Sequence, residues 1–259
     1  MIYLLWGTIR PKMFRETHKY WMDRAKHPEN IINKVVVPTQ LEKKQLKEFD
    51  VLVEPGNNKN GWTYGTYMLT KNLEINDDDI IMLPTDDTYC PKNWDEYVLS
   101  KFKNWDGALL LPDGTVHTDL KRYNDATLVE PLQCLIMACM TFKCLKKLNK
   151  CIFSPHYHHF FGDPEAYQNL YHMGLLKDVR CDQVIFEHRH YYQGKRKKDL
   201  FDETHYDYKF KEDENMFWRR MKMSLQERLD TLTAETPMKT DSNVIKKHEE
   251  VNGIVVYHG

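Results

Sequence analysis

No two cysteines of this chain stand at the Cys-x-x-Cys spacing, and no glycine fingerprint of the G-x-G-x-x-G or P-loop type follows any of its apolar runs. The first absence removes the usual framework of a small zinc site or a redox dithiol. The second removes the glycine cradle that holds phosphates on backbone amides, so a phosphate ligand would have to be held by a metal and side chains. No apolar run approaches the ~20 residues that a bilayer-spanning helix needs, and a soluble protein is expected. The apolar start, Met1 to Trp6, is too short for a signal-peptide core and runs into Gly7 and Thr8 in place of a cleavage-type site. An excess of one charge is also missing: Lys+Arg 37 against Asp+Glu 38 leaves −1, so nucleic-acid contact would require a local patch. There is no internal repeat. The six cysteines (Cys90, Cys134, Cys139, Cys144, Cys151 and Cys181) are expected to be reduced and mostly buried, which points to a cytoplasmic protein.

What is present favours one large α/β unit. The length of 259 residues and a hydrophobic share of 41% support a single core over residues 1–230, with a polar tail, 231–259, that is partly loose or docks on the body. Short apolar runs at Ile2–Trp6, Val35–Val37, Val51–Val53, Ile80–Leu83 and Ala108–Leu111 read as strands. Between them, Phe14, Thr17, Trp21 and Ala25 share one helical face. Trp62, Thr66, Leu69 and Leu73 share another, and Trp94, Tyr97, Val98 and Phe102 a third. Asn57 to Gly61 is a loop by composition. The alternation predicts a largely parallel sheet with helices on both sides. In the second half, residues 132–148 read as a helix, Val184-Ile185-Phe186 as a strand, and 212–229 as one helix. Ile254 to Tyr257 reads as an edge strand or a segment docked on the body.

Residues that carry chemistry cluster at the ends of these elements. The strand Ile80–Leu83 runs through Pro84-Thr85 into adjacent carboxylates, Asp86 and Asp87. In open α/β sheets ligands bind beyond the carboxyl ends of strands, and two aspartates there suit a divalent cation. A polar turn closing a strand is the alternative reading. The first strand ends in Thr8-Ile9-Arg10-Pro11. Asp163-Pro164-Glu165 opens a helix, as catalytic base or as ordinary helix cap. His188 ends a later strand, and Lys195-Arg196-Lys197-Lys198 is a basic cluster, either a solvated loop or a phosphate-binding patch.

Taken in order, these segments over residues 1–190 resemble a family 2 glycosyltransferase. Thr85-Asp86-Asp87 is similar to that family's Asp-x-Asp motif, Asn60-Gly61-Trp62 to the segment before it, and Gly162-Asp163-Pro164-Glu165 to the later acidic motif that supplies the base. His188 matches the position of a third metal or diphosphate ligand. The resemblance implies the GT-A fold: Rossmann-like, with a mostly parallel central sheet flanked by helices and a C-terminal helical or irregular extension. It implies a nucleotide-diphosphate sugar donor, foremost a UDP-sugar, and transfer to a hydroxyl with inversion. Its implied metal ligands are Asp87 and His188, holding Mn²⁺ or Mg²⁺. Its implied base is Asp163, with Glu165 as substitute, and its implied donor contacts are Thr8, Arg10, Asn60, Asp86 and Arg219. The acceptor stays open among a glycan, a small molecule, a protein and a hydroxymethylated base in viral DNA, in which case the compartment is the host cytoplasm. No membrane is implied, and the oligomeric state is open. Two rivals stand beside this reading. One is a metal-dependent hydrolase or nuclease built on the histidines of the second half, among them His156, His158, His159 and His205. The other is a non-catalytic nucleotide-sugar-binding module.

Overall fold

The strand predicted at the N-terminus, β1 (Ile2–Gly7), lies inside the main sheet of the computed structural model, between β2 (Ile31–Val37) and β4 (Ile80–Met82), parallel to both. The structure describes residues 1–54, 61–112, 134–135, 137–182, 184–191, 194–199 and 209–233, and the backbone at 249–251 and 254–256. The sheet has seven strands in the order β3-β2-β1-β4-β7-β6-β8, where β3 is Val51–Val53, β6 is Ala108–Leu110, β7 is Cys139–Thr141 and β8 is Leu176–Asp178. The β3–β4 half is parallel throughout. β7 is antiparallel to both β4 and β6, and β6 is parallel to β8.

The continuous apolar runs have a physical cause: both faces of the sheet are covered. Along β1, Ile2, Leu4 and Trp6 join one core and Leu5 the other. The first core is completed by Phe14 and Trp21 of α1 (Pro11–Arg24) and by Trp94 and Val98 of α4 (Trp94–Phe102). The second is built from Tyr67 and Leu69 of α3 (Gly61–Lys71), Phe142 and Leu145 of α5 (Phe142–Lys147), and Ala166, Tyr167 and Leu170 of α6 (Gly162–His172). A short helix, α2 (Gln40–Gln45), is capped by Thr39 as the sequence indicates. Asp95 accepts hydrogen bonds from the Lys26 and His27 amides, both at 2.8 Å, and so ties α4 to the end of α1.

Several boundaries differ from expectation. The described part of 132–148 is not one helix: Cys139–Thr141 pairs between β4 and β6, because a run apolar on both faces satisfies its backbone in the sheet, and only Phe142–Lys147 is helical. The strand near 185 is β9 (Glu187–His188), pairing antiparallel with β5 (Thr88–Tyr89) in a separate two-stranded sheet. Residues 212–229 form two helices, α7 (Phe210–Met221) and α8 (Leu225–Asp230), because Ser224 and Glu227 build a reciprocal capping box that starts a new helix. The chain remains docked through Leu232, which is 1% exposed. The backbone at 254–256 pairs with 249–251 as a hairpin and does not join the main sheet. Among the described residues no helix is long and apolar enough to cross a membrane.

Candidate active site

The carboxyl ends of β1 and β4 are neighbours, and the two segments that leave them meet. Thr8 Oγ1 donates to Asp86 Oδ2 at 2.8 Å, and the Arg10 amide donates to Thr8 Oγ1 at 2.9 Å. The Arg10 guanidinium grips Asp86 from Nε (3.1 Å) and from a second nitrogen. Helix α1 fixes the acidic turn from below: Thr17 Oγ1 donates to the Asp86 carbonyl at 2.6 Å, and the Trp21 indole to the Thr88 carbonyl at 2.7 Å. Thr17 and Trp21 are legible in the sequence only as a helical face; their grip on the acidic turn is a tertiary fact.

Asp87 is 4% exposed and differently placed. Thr85 Oγ1 donates to its Oδ1 at 2.8 Å. The β5–β9 pairing puts His188 opposite Thr88, and the Arg189 amide donates to the Asp87 carbonyl at 2.8 Å. The His188 ring is thereby delivered to the carboxylate, with Nε2 3.4 Å from Oδ1. Arg196 approaches the other oxygen at 3.6 Å. Asp199 stands between the two arginines, 3.2 Å from Arg10 and 3.9 Å from Arg196. The basic cluster is thus not uniformly a solvated loop: Lys195, Lys197 and Lys198 are solvent-exposed, while Arg196 is turned to the acidic pair.

The charges are strongly coupled. Burial pushes the Asp86 carboxyl up, Arg10 pulls it down, Asp87 pushes it up again, and the net value is raised. Burial also opposes ionisation of Asp87, but His188 and Arg10 outweigh it and hold that carboxylate well below the usual range. Arg10 is held above its ordinary value: burial opposes its charge, and Asp86, Asp87 and Asp199 overcome that.

The far wall is the loop 155–161 and the start of α6. Trp62 of α3 packs over Gly7, where a Cβ would lie 2.8 Å from the indole nitrogen. Trp62 contacts His159 with ring centroids 6.3 Å apart. Through Trp62, which packs both on Gly7 and against its ring, His159 stands beside the end of β1 that leads into Thr8 and Arg10. Asp163 is half-buried in the first turn of α6. Glu165 has a different setting. It is 1% exposed and accepts from Tyr157 Oη at 2.6 Å and from Arg220 Nε at 2.7 Å. Burial raises its carboxyl, and Arg220 more than offsets this and lowers it. Glu165 is an internal anchor, committed to holding α6 on α7.

Of the remaining sequence candidates, Asn60 lies outside the described residues. Arg219 is half-buried on α7, where its charge bears on His156; the arginine that reaches Asp87 is Arg196. His156 lies 3.0 Å from the Thr231 carbonyl, and His158 3.1 Å from Asp213, so these two do not converge on one point. Among the described residues no group of three or more His, Cys, Asp and Glu is arranged to hold a metal. His205 lies outside the described residues. The six cysteines form no disulfide with one another.

No protein-family model matches the sequence, and no curated protein matches it. In three dimensions the chain is similar to the mannosyltransferase PcManGT from Pyrobaculum calidifontis, solved with GDP-Man and Mn²⁺ (TM-score 0.52, 12% identity, 72% of this chain and 56% of that one). It is also similar to S. aureus TarS 1–349 solved with UDP (TM-score 0.51, 13% identity, 72% and 59%). The same protein with UDP-GlcNAc gives a TM-score of 0.50, at 13% identity over 72% and 57%. The chain spans a little over half the length of these structures. At such low identity the likeness concerns the fold, and the fold is GT-A: a Rossmann-like, mostly parallel sheet flanked by helices.

Proposed function

We propose that the chain is a metal-dependent glycosyltransferase that moves a sugar from a nucleotide-diphosphate donor, foremost a UDP-sugar, to a hydroxyl acceptor with inversion. The observation that carries this reading is the pair Asp87 Oδ1 and His188 Nε2, 3.4 Å apart beyond the end of a central strand. A direct N–H···O bond prefers a shorter distance. His188 Nδ1 is buried and without a hydrogen-bond partner among the described residues. Without a cation, His188 helps to hold Asp87 ionised; with its Nε2 lone pair turned to a cation, His188 and Asp87 Oδ1 at this spacing would be two ligands of one ion. Asp87 and His188 would hold Mn²⁺ or Mg²⁺, and the imidazole favours Mn²⁺. Two protein ligands fit a site completed by diphosphate oxygens and water. A cation bound there would neutralise the charge on the departing diphosphate. The fold likeness to structures holding GDP-Man and Mn²⁺, UDP, and UDP-GlcNAc supports this donor class.

The chain's own residues then have distinct tasks. Arg10 and Arg196 are fixed cations beside the diphosphate position, and Asp86 and Thr8 hold Arg10 in place on the nucleotide side. Asp163, in the first turn of α6 where the helix dipole favours an anion, takes the acceptor's hydroxyl proton. The acceptor oxygen bonds to the anomeric carbon as the bond to the diphosphate breaks on the opposite face. Glu165 is the lesser candidate, since protonating it dissolves a buried ion pair. The acceptor is a glycan, a small molecule, a protein or a hydroxymethylated DNA base; exposed Lys195, Lys197 and Lys198 give the last a local basic patch, and salt-sensitive duplex binding tests it.

A hydrolysis assay over UDP- and GDP-sugars, with Mn²⁺, Mg²⁺ or chelator, tests the reading. Cation-dependent donor cleavage that falls about 100-fold or more in Asp87→Ala supports it. Failure of every donor to bind or react with either cation rejects it.

A further inference from the structure

On α7, Asp213 is a carboxylate 1% exposed to solvent that accepts three consecutive backbone amides: His158 at 2.8 Å, His159 at 2.9 Å and Phe160 at 2.8 Å. His158 Nδ1 lies 3.1 Å from the same carboxylate. Three neighbouring N–H groups converge on one point only when the loop bends around it, and hydrogen bonds to an ionised acceptor are among the stronger ones. One and two turns further along the same face of α7 stand Phe217 and Arg220. Phe217 packs on Phe161, with ring centroids 5.3 Å apart, and Arg220 grips Glu165. One face of α7 therefore holds the chain on both sides of Asp163: the loop before it through Asp213, the helix after it through Arg220.

We propose that Asp213 is a positioning residue for the wall of the site built by the loop 155–161 and the start of α6, setting the loop 158–160 and through it His159 and Asp163. The proposal rests on the glycosyltransferase reading above. The buried carboxylate is poorly explained by helix packing alone, because an apolar residue would pack α7 without any cost of desolvating a charge. What a carboxylate adds is a fixed path for three amides, on the segment whose His159 packs against Trp62 over Gly7, next to Thr8 and Arg10. Asp213 touches neither donor nor acceptor in this account; it acts through the loop.

The test uses the full chain with Asp213→Asn and Asp213→Ala. The asparagine keeps one carbonyl oxygen with two lone pairs in place, so it retains part of the grip and the fold. Three quantities are measured: the Mn²⁺-dependent rise in melting temperature with UDP or GDP, the kcat and KM of donor hydrolysis, and amide exchange at residues 158–160. The proposal expects nucleotide binding to be unchanged and donor KM to be constant. It expects kcat lower by about 10- to 100-fold, the scale of a displacement near 1 Å, and faster exchange confined to this loop. Wild-type kcat in both folded variants overturns it. So does a fall of kcat and nucleotide affinity in parallel with melting temperature, the pattern of general destabilisation. If the wild type binds and cleaves no donor, the glycosyltransferase reading fails by itself; protection of the 158–160 amides from exchange then still decides the Asp213 grip, its loss in the variants supporting the grip and its persistence overturning it.

Discussion

The imidazole of His188 stands 3.4 Å from the Asp87 carboxylate because β9 pairs with β5 and sets His188 opposite Thr88. The pair sits beside the Asp86–Arg10 ion pair, so the site holds two acids, each partnered by different cations.

If Asp87 and His188 share a cation, then Mn²⁺ with UDP should raise the melting temperature of the wild type. At a hundredfold excess over Kd the gain is about 2.7 kcal/mol. Asp87→Ala and His188→Ala should each abolish the cation-dependent part of this shift, read by differential scanning fluorimetry with and without chelator. A shift that persists in both variants would place the cation elsewhere.

Arg10→Gln removes the guanidinium that holds Asp86 and leaves two neighbouring buried carboxylates with less positive charge around them. Breaking one partner of a buried pair costs about 3–5 kcal/mol. The variant should melt well below the wild type without divalent cations, and Mn²⁺ should recover part of the loss. Equal melting of variant and wild type would mean that Arg10 carries no structural share of the pair.

Asp163 and Glu165 should separate cleanly. Asp163→Asn should leave the melting temperature within about 2 °C of the wild type, as a half-exposed surface change does, and lower donor hydrolysis by about 100-fold or more. Glu165→Gln leaves Arg220 buried against a neutral partner and should cost about 3–5 kcal/mol in a denaturant titration. The reverse pattern would exchange the two roles.

The Glu165–Arg220 pair also sets a pH dependence. The folded carboxyl lies below its ordinary value, so its contribution to stability is fully present above the unfolded pKa of about 4.3. It is lost as pH falls from there through the folded value. Melting curves from pH 7 down to pH 3 should show a drop below about pH 4.3 that is smaller in Glu165→Gln. The same drop in both proteins would remove Glu165 from the acid response.

Thiol accessibility gives a check on the fold. Burial pushes Cys90 and Cys144 up to about 12, and Cys139 higher still. These three should resist a thiol reagent at pH 8 until the protein unfolds, while exposed Cys181 reacts at once. Immediate labelling of Cys139 in native protein would contradict its place in β7.

Some of this architecture is written locally. The strands β1, β4 and β6 announce themselves as apolar runs because they bury both faces, and β2 and β3 as short Val-rich runs, although Leu52 on the edge strand β3 is exposed. Asp86 and Asp87 stand out because a core strand ends on them. Thr8, Arg10 and His188 follow from their places at strand ends. β7 was not legible as a strand, since an apolar stretch studded with Cys and Met suits a helix equally until a vacant slot between β4 and β6 selects the extended form. Asp213 and Arg220 look like charged residues on a surface helix, and Arg196 like one member of a solvated cluster. Nothing within a few residues of them indicates otherwise.

By itself the sequence determined the layered α/β body and the acidic turn, because burial pattern and strand length are properties of a short window. Only the tertiary structure decided that Glu165 is an internal anchor, that Arg196 reaches Asp87, and that Asp213 accepts the amides of the loop 158–160. The physical reason is that a buried charge is tolerated only beside a partner, and here the partners come from segments brought together by folding: Arg220 lies 55 residues from Glu165, and Asp213 55 from His158.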